Sequence, residues 1–284
     1  MERLANTQRG LNPRSIWKLY NTCITTIADY ASPVWWKSRR SIQPLKTLQL
    51  RAARKILGVF RTTPSEPSEL EANLLPTEIR LERQGLKYAL RTNKLPENHP
   101  ICKILRETQL RTTCLTFKSR SKLTRLQDTK YRKFWISQGL ENAKSKIDNQ
   151  MQKAWAESFQ KAKDKKNKGN KDSYFNRFSW KDKPLKERLP IEGKRATTSA
   201  YYSIIFGHGY LKSYLSKIGK TETDKCNCGL KQTAEHLLFR CKYYNQDRPK
   251  LLRQAKSIQD ILKENNGQKA IYDFLDITGI ATRK

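Results

Sequence analysis

No two acidic residues stand side by side anywhere in the chain, and only 26 Asp and Glu face 58 Lys and Arg. Metal-dependent phosphoryl transfer gathers carboxylates around its ions, so the sequence offers that chemistry no ready-made acidic box. Long apolar runs are missing as well. No stretch approaches the roughly 18 consecutive apolar residues of a spanning helix, and Met1-Glu2-Arg3-Leu4-Ala5-Asn6 lacks the apolar centre of a secretory signal. The expectation is a soluble intracellular protein, in nucleus or cytoplasm, with no membrane partner. Histidine is scarce, with three in 284 residues. Period-2 alternation is almost absent and no internal repeat of fixed period is visible, which points away from sheet-based and solenoid folds.

What is abundant is positive charge. A net +32 repels itself unless a polyanion neutralises it, and nucleic acid is the first candidate partner. The length allows one large domain or two modest ones. Apolar residues recur at helical spacing from Ser15 to Trp36, with Ile16, Leu19, Tyr20, Cys23, Ile24, Ile27 and Tyr30 on one stripe between Asn12-Pro13 and Ser32-Pro33. A second stripe, Leu45, Leu48, Leu50, Ala52, Ala53, Ile56 and Leu57, closes at Gly58 and the Thr62-Thr63-Pro64-Ser65 turn, so two packed helices are expected. Further helix spans Leu70 to Leu95, broken near Leu75-Pro76.

Between Ile101 and Arg195 about 26 basic residues meet about 10 acidic ones. A long helix is expected from Phe134 to Phe159, burying Trp135, Ile136, Leu140, Ala143, Ile147, Met151, Ala154, Trp155 and Phe159. The run Lys161 to Lys171 cannot support a core and reads as a mobile linker. Helical pattern returns from Ala196 to Ile218, punctuated by Gly207-His208-Gly209, and again over Leu237–Leu262 and Ala270–Phe274. The fold expected is therefore mainly α: a helical region over 1–100, a basic helical tether over 101–195, and a helical C-terminal region over 196–284.

Of six cysteines, Cys23, Cys102 and Cys114 lie among apolar neighbours and read as small buried hydrophobes. The others cluster. Cys226-Asn227-Cys228-Gly229 through Glu235-His236 to Cys241 places three thiols and one imidazole in sixteen positions, a complete ligand set for one tetrahedral zinc. A closed shell leaves no place for a reactive water, so the zinc would be structural. Cys-x-Cys reaches one metal only when bent, because an extended strand points alternate side chains to opposite faces. Gly229 permits the chain to fold back. Buried free thiols beside a core histidine are the competing reading. Lys225, Lys231, Arg240 and Lys242 surround the cluster and fit phosphate contacts.

Several stretches resemble a known family when taken in order. They are Gly10-Leu11-Asn12-Pro13, Leu19-Tyr20, Asp29-Tyr30-Ala31-Ser32-Pro33-Val34-Trp35, Leu45-Lys46-Thr47-Leu48-Gln49, Arg54-Lys55-Ile56-Leu57-Gly58, Arg61-Thr62-Thr63-Pro64, Leu75-Pro76 and Leu95-Pro96. They continue with Phe206-Gly207-His208-Gly209-Tyr210-Leu211-Lys212-Ser213-Tyr214-Leu215 and the cysteine cluster. Together they resemble the C-terminal part of non-LTR (LINE-type, jockey- or Tad-like) retrotransposon reverse transcriptases. The resemblance implies a helical thumb over the first hundred residues and a zinc knuckle near the C-terminus. His236-x4-Cys241 matches the spacing of retroviral-type knuckles, whereas the leading Cys-x-Cys departs from their Cys-x2-Cys. The polymerase palm's paired carboxylates and the ribonuclease H acids are not found, so the chain looks like a truncated or decayed copy.

Three functions are carried forward: a non-catalytic, nucleic-acid-binding retroelement remnant, a stand-alone zinc-binding regulator of transcription or RNA, and a nuclease using Asp29, Glu141, Asp148 and Asp224. Polymerase and hybrid-cleaving activities are not expected. In the thumb-like part Arg39, Arg40, Lys46, Arg51, Arg54, Lys55 and Arg61 are candidates to track a phosphate backbone. One of Trp35 and Trp36 is expected in the core, with the other available to stack on a base. His208 reads as a turn residue.

Overall fold

The computed structural model describes residues 4–30, 32, 39–92, 95–96, 98–103, 140–166, 175, 189–264 and 266–282. Trp35, Trp36, Cys114, Trp135, Ile136 and the end of the Lys161–Lys171 run fall outside them, as do the side chains of Arg39, Arg40, Leu140, Glu141 and Ala143. Among the described residues the regular structure is helical, and its one β feature is an isolated antiparallel bridge between Lys225 and Lys231. No helix among them is long and apolar enough to cross a membrane.

The first helix, α1 (Pro13–Leu19), starts where sequence chemistry places it. Asn12 caps it by accepting from the Ser15 amide at 2.8 Å, and Pro13 occupies the first turn, where its missing N–H costs nothing. A π turn, Tyr20–Ile24, then precedes α2 (Thr25–Ala28). Its wider turn rotates later side chains off the starting face. The expected stripe therefore divides: Ile16 and Tyr20 are buried, whereas Cys23, Ile27 and Tyr30 are exposed. Cys23 is thus not the buried hydrophobe its neighbours suggested, while Cys102 is half-buried near the Thr92 and Leu95 carbonyls.

Helix α3 (Arg39–Leu57) ends at Gly58, whose φ of +73° suits glycine. Ile42, Ala52, Ala53, Ile56 and Leu57 are buried, but Leu48 is exposed and Gln49 takes a fully buried place. Helices α4 (Ser65–Glu71) and α5 (Thr77–Thr92) follow, separated at Leu75-Pro76 as expected. The long helix α6 runs Leu140–Lys166. It buries Ile147, Met151, Trp155 and Phe159 at four-residue spacing, one face of an α-helix. It also continues through Lys166, so the first six residues of the supposed linker are helical. Lysine and alanine are good helix formers, and Gln160 donates to Asp164 one turn on at 2.7 Å.

Helices α7 (Arg195–Phe206), α8 (Lys212–Lys217), α9 (Lys250–Gln254), α10 (Ile258–Lys263) and α11 (Gly267–Thr278) complete the described chain. The packing groups residues into two compact units. One comprises Cys23–Gln49 and Leu75–Phe159, and the other Met1–Thr22, Leu50–Leu74 and Gln160–Lys284.

In the unit of Cys23–Gln49 and Leu75–Phe159, Ile79, Leu86 and Leu90 of α5 pack on Ile147 and Met151 of α6. Ion pairs flank that seam, with Arg83 2.7 Å and Lys87 3.3 Å from Asp148. Deeper in, Arg80 lies against Asp29, with Nη2 donating to Oδ1 at 3.0 Å, and also donates to Gln49. Gln49 in turn donates to the Leu75 carbonyl at 2.9 Å, which explains a buried glutamine on an otherwise apolar face.

In the other unit α11 packs against α7, α9 and α10. Nearly every residue of α7 is buried, including Thr197, Thr198, Ser199 and Ser203. The hydroxyls of three find partners: Thr197 on Asp276 at 2.7 Å, Thr198 on the Arg195 carbonyl at 2.9 Å and Ser199 on the Gly58 carbonyl at 2.6 Å. Arg195, only 4% exposed, donates to the Ile56 carbonyl at 2.6 Å, to that of Lys55, and to the Ala5 and Asn6 carbonyls at 3.4 and 3.3 Å. It satisfies carbonyls left open where α3 ends and places a cation at the negative end of that helix. Burial lowers its pKa to about 10, so it stays charged at neutral pH.

Candidate metal centre

The ligand cluster is built from two turns. The first is a tight hairpin closed by the Lys225–Lys231 bridge, in which Cys226 N–H donates to the Leu230 carbonyl at 2.7 Å and Gly229 N–H to the Cys226 carbonyl at 2.9 Å. Gly229 sits at φ +90°, so a residue with a side chain would strain the return. The bend lets Cys226 and Cys228 face the same point despite the single residue between them.

The second turn is His236–Arg240, a π turn whose closing bond runs from Cys241 N–H to the His236 carbonyl at 2.8 Å. In an α-helix, residues five apart are about 140° apart around the axis. The wider π turn brings the fifth residue back over the first, which is what a His-x4-Cys pair requires. Thr233 fixes its start, its hydroxyl accepting from the His236 amide at 3.1 Å.

The ligand atoms of Cys226, Cys228, His236 and Cys241 all lie within 4.8 Å of one another. Cys226 Sγ and Cys241 Sγ are 3.7 Å apart, against about 3.8 Å for two thiolates bound tetrahedrally to one zinc. Cys228 Sγ and His236 Nε2 are 3.1 Å apart, closer than the about 3.6 Å of the same geometry, so those two ligands would move slightly apart around an ion. Cys226, His236 and Cys241 are buried and Cys228 is half-buried. Four donors on one point, all thiolate or imidazole, fit a closed structural metal site.

No family model, curated protein or solved structure matches the chain. The chemistry of the site therefore rests on its own residues.

Burial raises the Cys226 thiol, but the backbone N–H groups of Cys228 and Asn227 and the neighbouring thiols outweigh it and lower its pKa. The Cys241 thiol is pushed up to about 11, by burial first and then by the adjacent Cys226, against a Tyr243 N–H that favours the thiolate. One thiol of the pair ionises readily and the other resists, because two thiolates this close repel. A bound cation would remove that repulsion and take the second proton off. Burial, then Arg248 and Arg240, lowers the His236 pKa, which favours the neutral imidazole a metal needs.

Arg248 is the residue that sequence reasoning missed. It is 4% exposed, and its guanidinium donates to the carbonyls of Leu238 at 2.6 Å, Cys241 at 3.0 Å and Leu237 at 3.3 Å, and to Asn245 Oδ1 at 3.1 Å. It thereby ties the end of the π turn to the last ligand and lies 6.0 Å from the centre of the Phe274 ring. In so basic a chain nothing local marks one arginine as buried.

Around the centre Lys225, Arg240 and Lys242 are exposed, and Lys231 is paired with Asp224 at 3.3 Å. In the first hundred residues Arg51, Lys55 and Arg61 are exposed. Lys46 pairs with Glu78 at 2.7 Å. Arg54 is half-buried and donates to the Thr63 carbonyl through both Nε and Nη2, at 3.1 and 2.6 Å, so it holds the turn after α3. His208 stacks on Tyr214, with ring centres 4.7 Å apart.

Proposed function

We propose that this chain is a non-catalytic nucleic-acid-binding segment of a non-LTR retrotransposon type of reverse transcriptase, folded locally around one structural zinc held by Cys226, Cys228, His236 and Cys241. The observation that carries the reading is a four-ligand thiolate and imidazole cluster bordered by exposed Lys225, Arg240 and Lys242 in a protein of net charge +32. The metal ties down the Lys225–Lys231 hairpin, whose one apolar side chain besides its cysteines, Leu230, is exposed, and the cations around it meet phosphate. Asp29, Asp148 and Asp224 lie beside Arg80, Arg83 and Lys231 respectively, which supports a structural role for each over a nuclease role.

Binding is expected to be sequence-tolerant and steeply salt-dependent, because each lysine or arginine on a phosphate releases counterions. Arg51, Lys55, Arg61, Lys225, Arg240 and Lys242 are exposed. Six such contacts predict a loss of about a thousandfold between about 50 and 200 mM salt. Titrating the full chain against a labelled RNA hairpin and a DNA duplex measures this. A flat salt response, or no binding, rejects the reading.

A further inference from the structure

The apolar side chains next to the candidate metal centre mostly turn inward: Leu237 and Leu238 are almost wholly buried, and Ala234 is 4% exposed. Two do not. Tyr243 is 60% exposed and Leu230 59%, although one follows Cys241 by two residues and the other follows Cys228 by two. Tyr243 is held from both sides. Its backbone N–H is directed at the Cys241 thiol, and its neighbour Tyr244 packs edge-on to Phe274 at 6.3 Å between ring centres. Its phenol ring is thus displayed on a fixed backbone, with the Lys242 ammonium 5.9 Å from the ring centre. A ring carried on a fixed backbone and left in water has met part of its ordering cost before any ligand arrives.

We propose that Tyr243 is a stacking platform for an unpaired base of a single-stranded nucleic acid, with Lys242, Arg240 and Lys225 taking the adjoining phosphates. This rests on the nucleic-acid-binding reading above and narrows it. The faces of bases in a duplex are already covered by their neighbours, so an exposed ring gains a stacking partner only from a strand whose bases are free. The local cations supply the charge complementarity that brings such a strand to the ring.

The test uses the full chain with one equivalent of zinc, a single-stranded oligonucleotide of about 12 nucleotides carrying 2-aminopurine, and a hairpin duplex of the same base composition. Tyr243→Ala is expected to weaken single-strand binding about 5- to 150-fold, the range for losing one base–aromatic stack. It should leave duplex affinity and zinc content unchanged, and Tyr243→Phe should bind like the unaltered protein. The unaltered protein should also quench 2-aminopurine placed at one or more positions, a readout that does not depend on how the variant folds. Unchanged single-strand affinity in Tyr243→Ala, an equal loss on single strand and duplex, or no quenching at any position overturns the platform while leaving salt-dependent binding intact. Failure of the unaltered chain to bind either nucleic acid overturns the broader reading and the platform with it.

Discussion

Arg248 donates to backbone carbonyls and Asn245 rather than to a candidate ligand atom, yet replacing it with alanine is expected to weaken zinc binding about 30- to 150-fold. The side chain donates to the carbonyls of Leu237, Leu238 and Cys241, all belonging to residues with at most 1% exposure, so water has poor access to what it would leave behind. A hydrogen bond from a charged donor contributes about 1.5–3 kcal/mol, and a buried acceptor left unpaired costs about 1–3 kcal/mol. Part of that loss is offset, because the guanidinium itself was desolvated. A net of about 2–3 kcal/mol follows, and each 1.4 kcal/mol is a factor of about ten. The energy appears in metal affinity because the π turn whose carbonyls Arg248 holds is what brings His236 over Cys241. Competition between the full chain and a chromophoric chelator measures the affinity directly. Arg248→Lys should fall between the two, since a single ammonium cannot span three carbonyls. If Arg248→Ala keeps its helical content and binds zinc within threefold of the unaltered protein, the coupling between this clamp and the metal is wrong.

The ligand set predicts one zinc per chain by mass spectrometry, lost in Cys241→Ser and His236→Ala and kept in Cys23→Ser, whose thiol is exposed and in a different unit. A stoichiometry near zero in reducing, zinc-supplied buffer counts against the site. Zinc affinity should fall as pH falls: the metal-free Cys241 thiol, at about 11, stays protonated at neutral pH. Zinc must displace that proton, so affinity drops at least about tenfold per pH unit between pH 8 and 6. An affinity independent of pH in that window contradicts thiolate ligation. Arg195→Ala should destabilise the unit containing α7 by about 3 kcal/mol, because it uncaps α3 and leaves buried carbonyls unpaired. An unchanged urea midpoint followed by circular dichroism would show that the Arg195 hydrogen bonds contribute little.

Much of the secondary structure is legible in local chemistry. Asn12-Pro13 opens α1, Gly58 closes α3, Leu75-Pro76 separates α4 from α5, and Ile147, Met151, Trp155 and Phe159 mark the buried face of α6. These are decided within a turn or two of chain by capping, φ preference and periodicity. The four candidate metal ligands are legible for a different reason. Thiol and imidazole are rare enough here that their coincidence in sixteen positions carries information that the plentiful lysines do not.

The tertiary structure alone decided the rest. Both π turns shift side-chain direction by a single residue. One sends Cys23, Ile27 and Tyr30 outward and the other brings His236 and Cys241 together, and periodicity assumed constant sees neither. The grouping of Met1–Thr22 and Leu50–Leu74 with Gln160–Lys284 depends on contacts between residues far apart in the chain. So do the burial of Gln49, Arg195 and Arg248, polar side chains placed inside because carbonyls or an arginine there lacked partners. Composition and spacing name which side chains have chemistry to offer, whereas which of them is buried depends on groups brought near only when the chain folds.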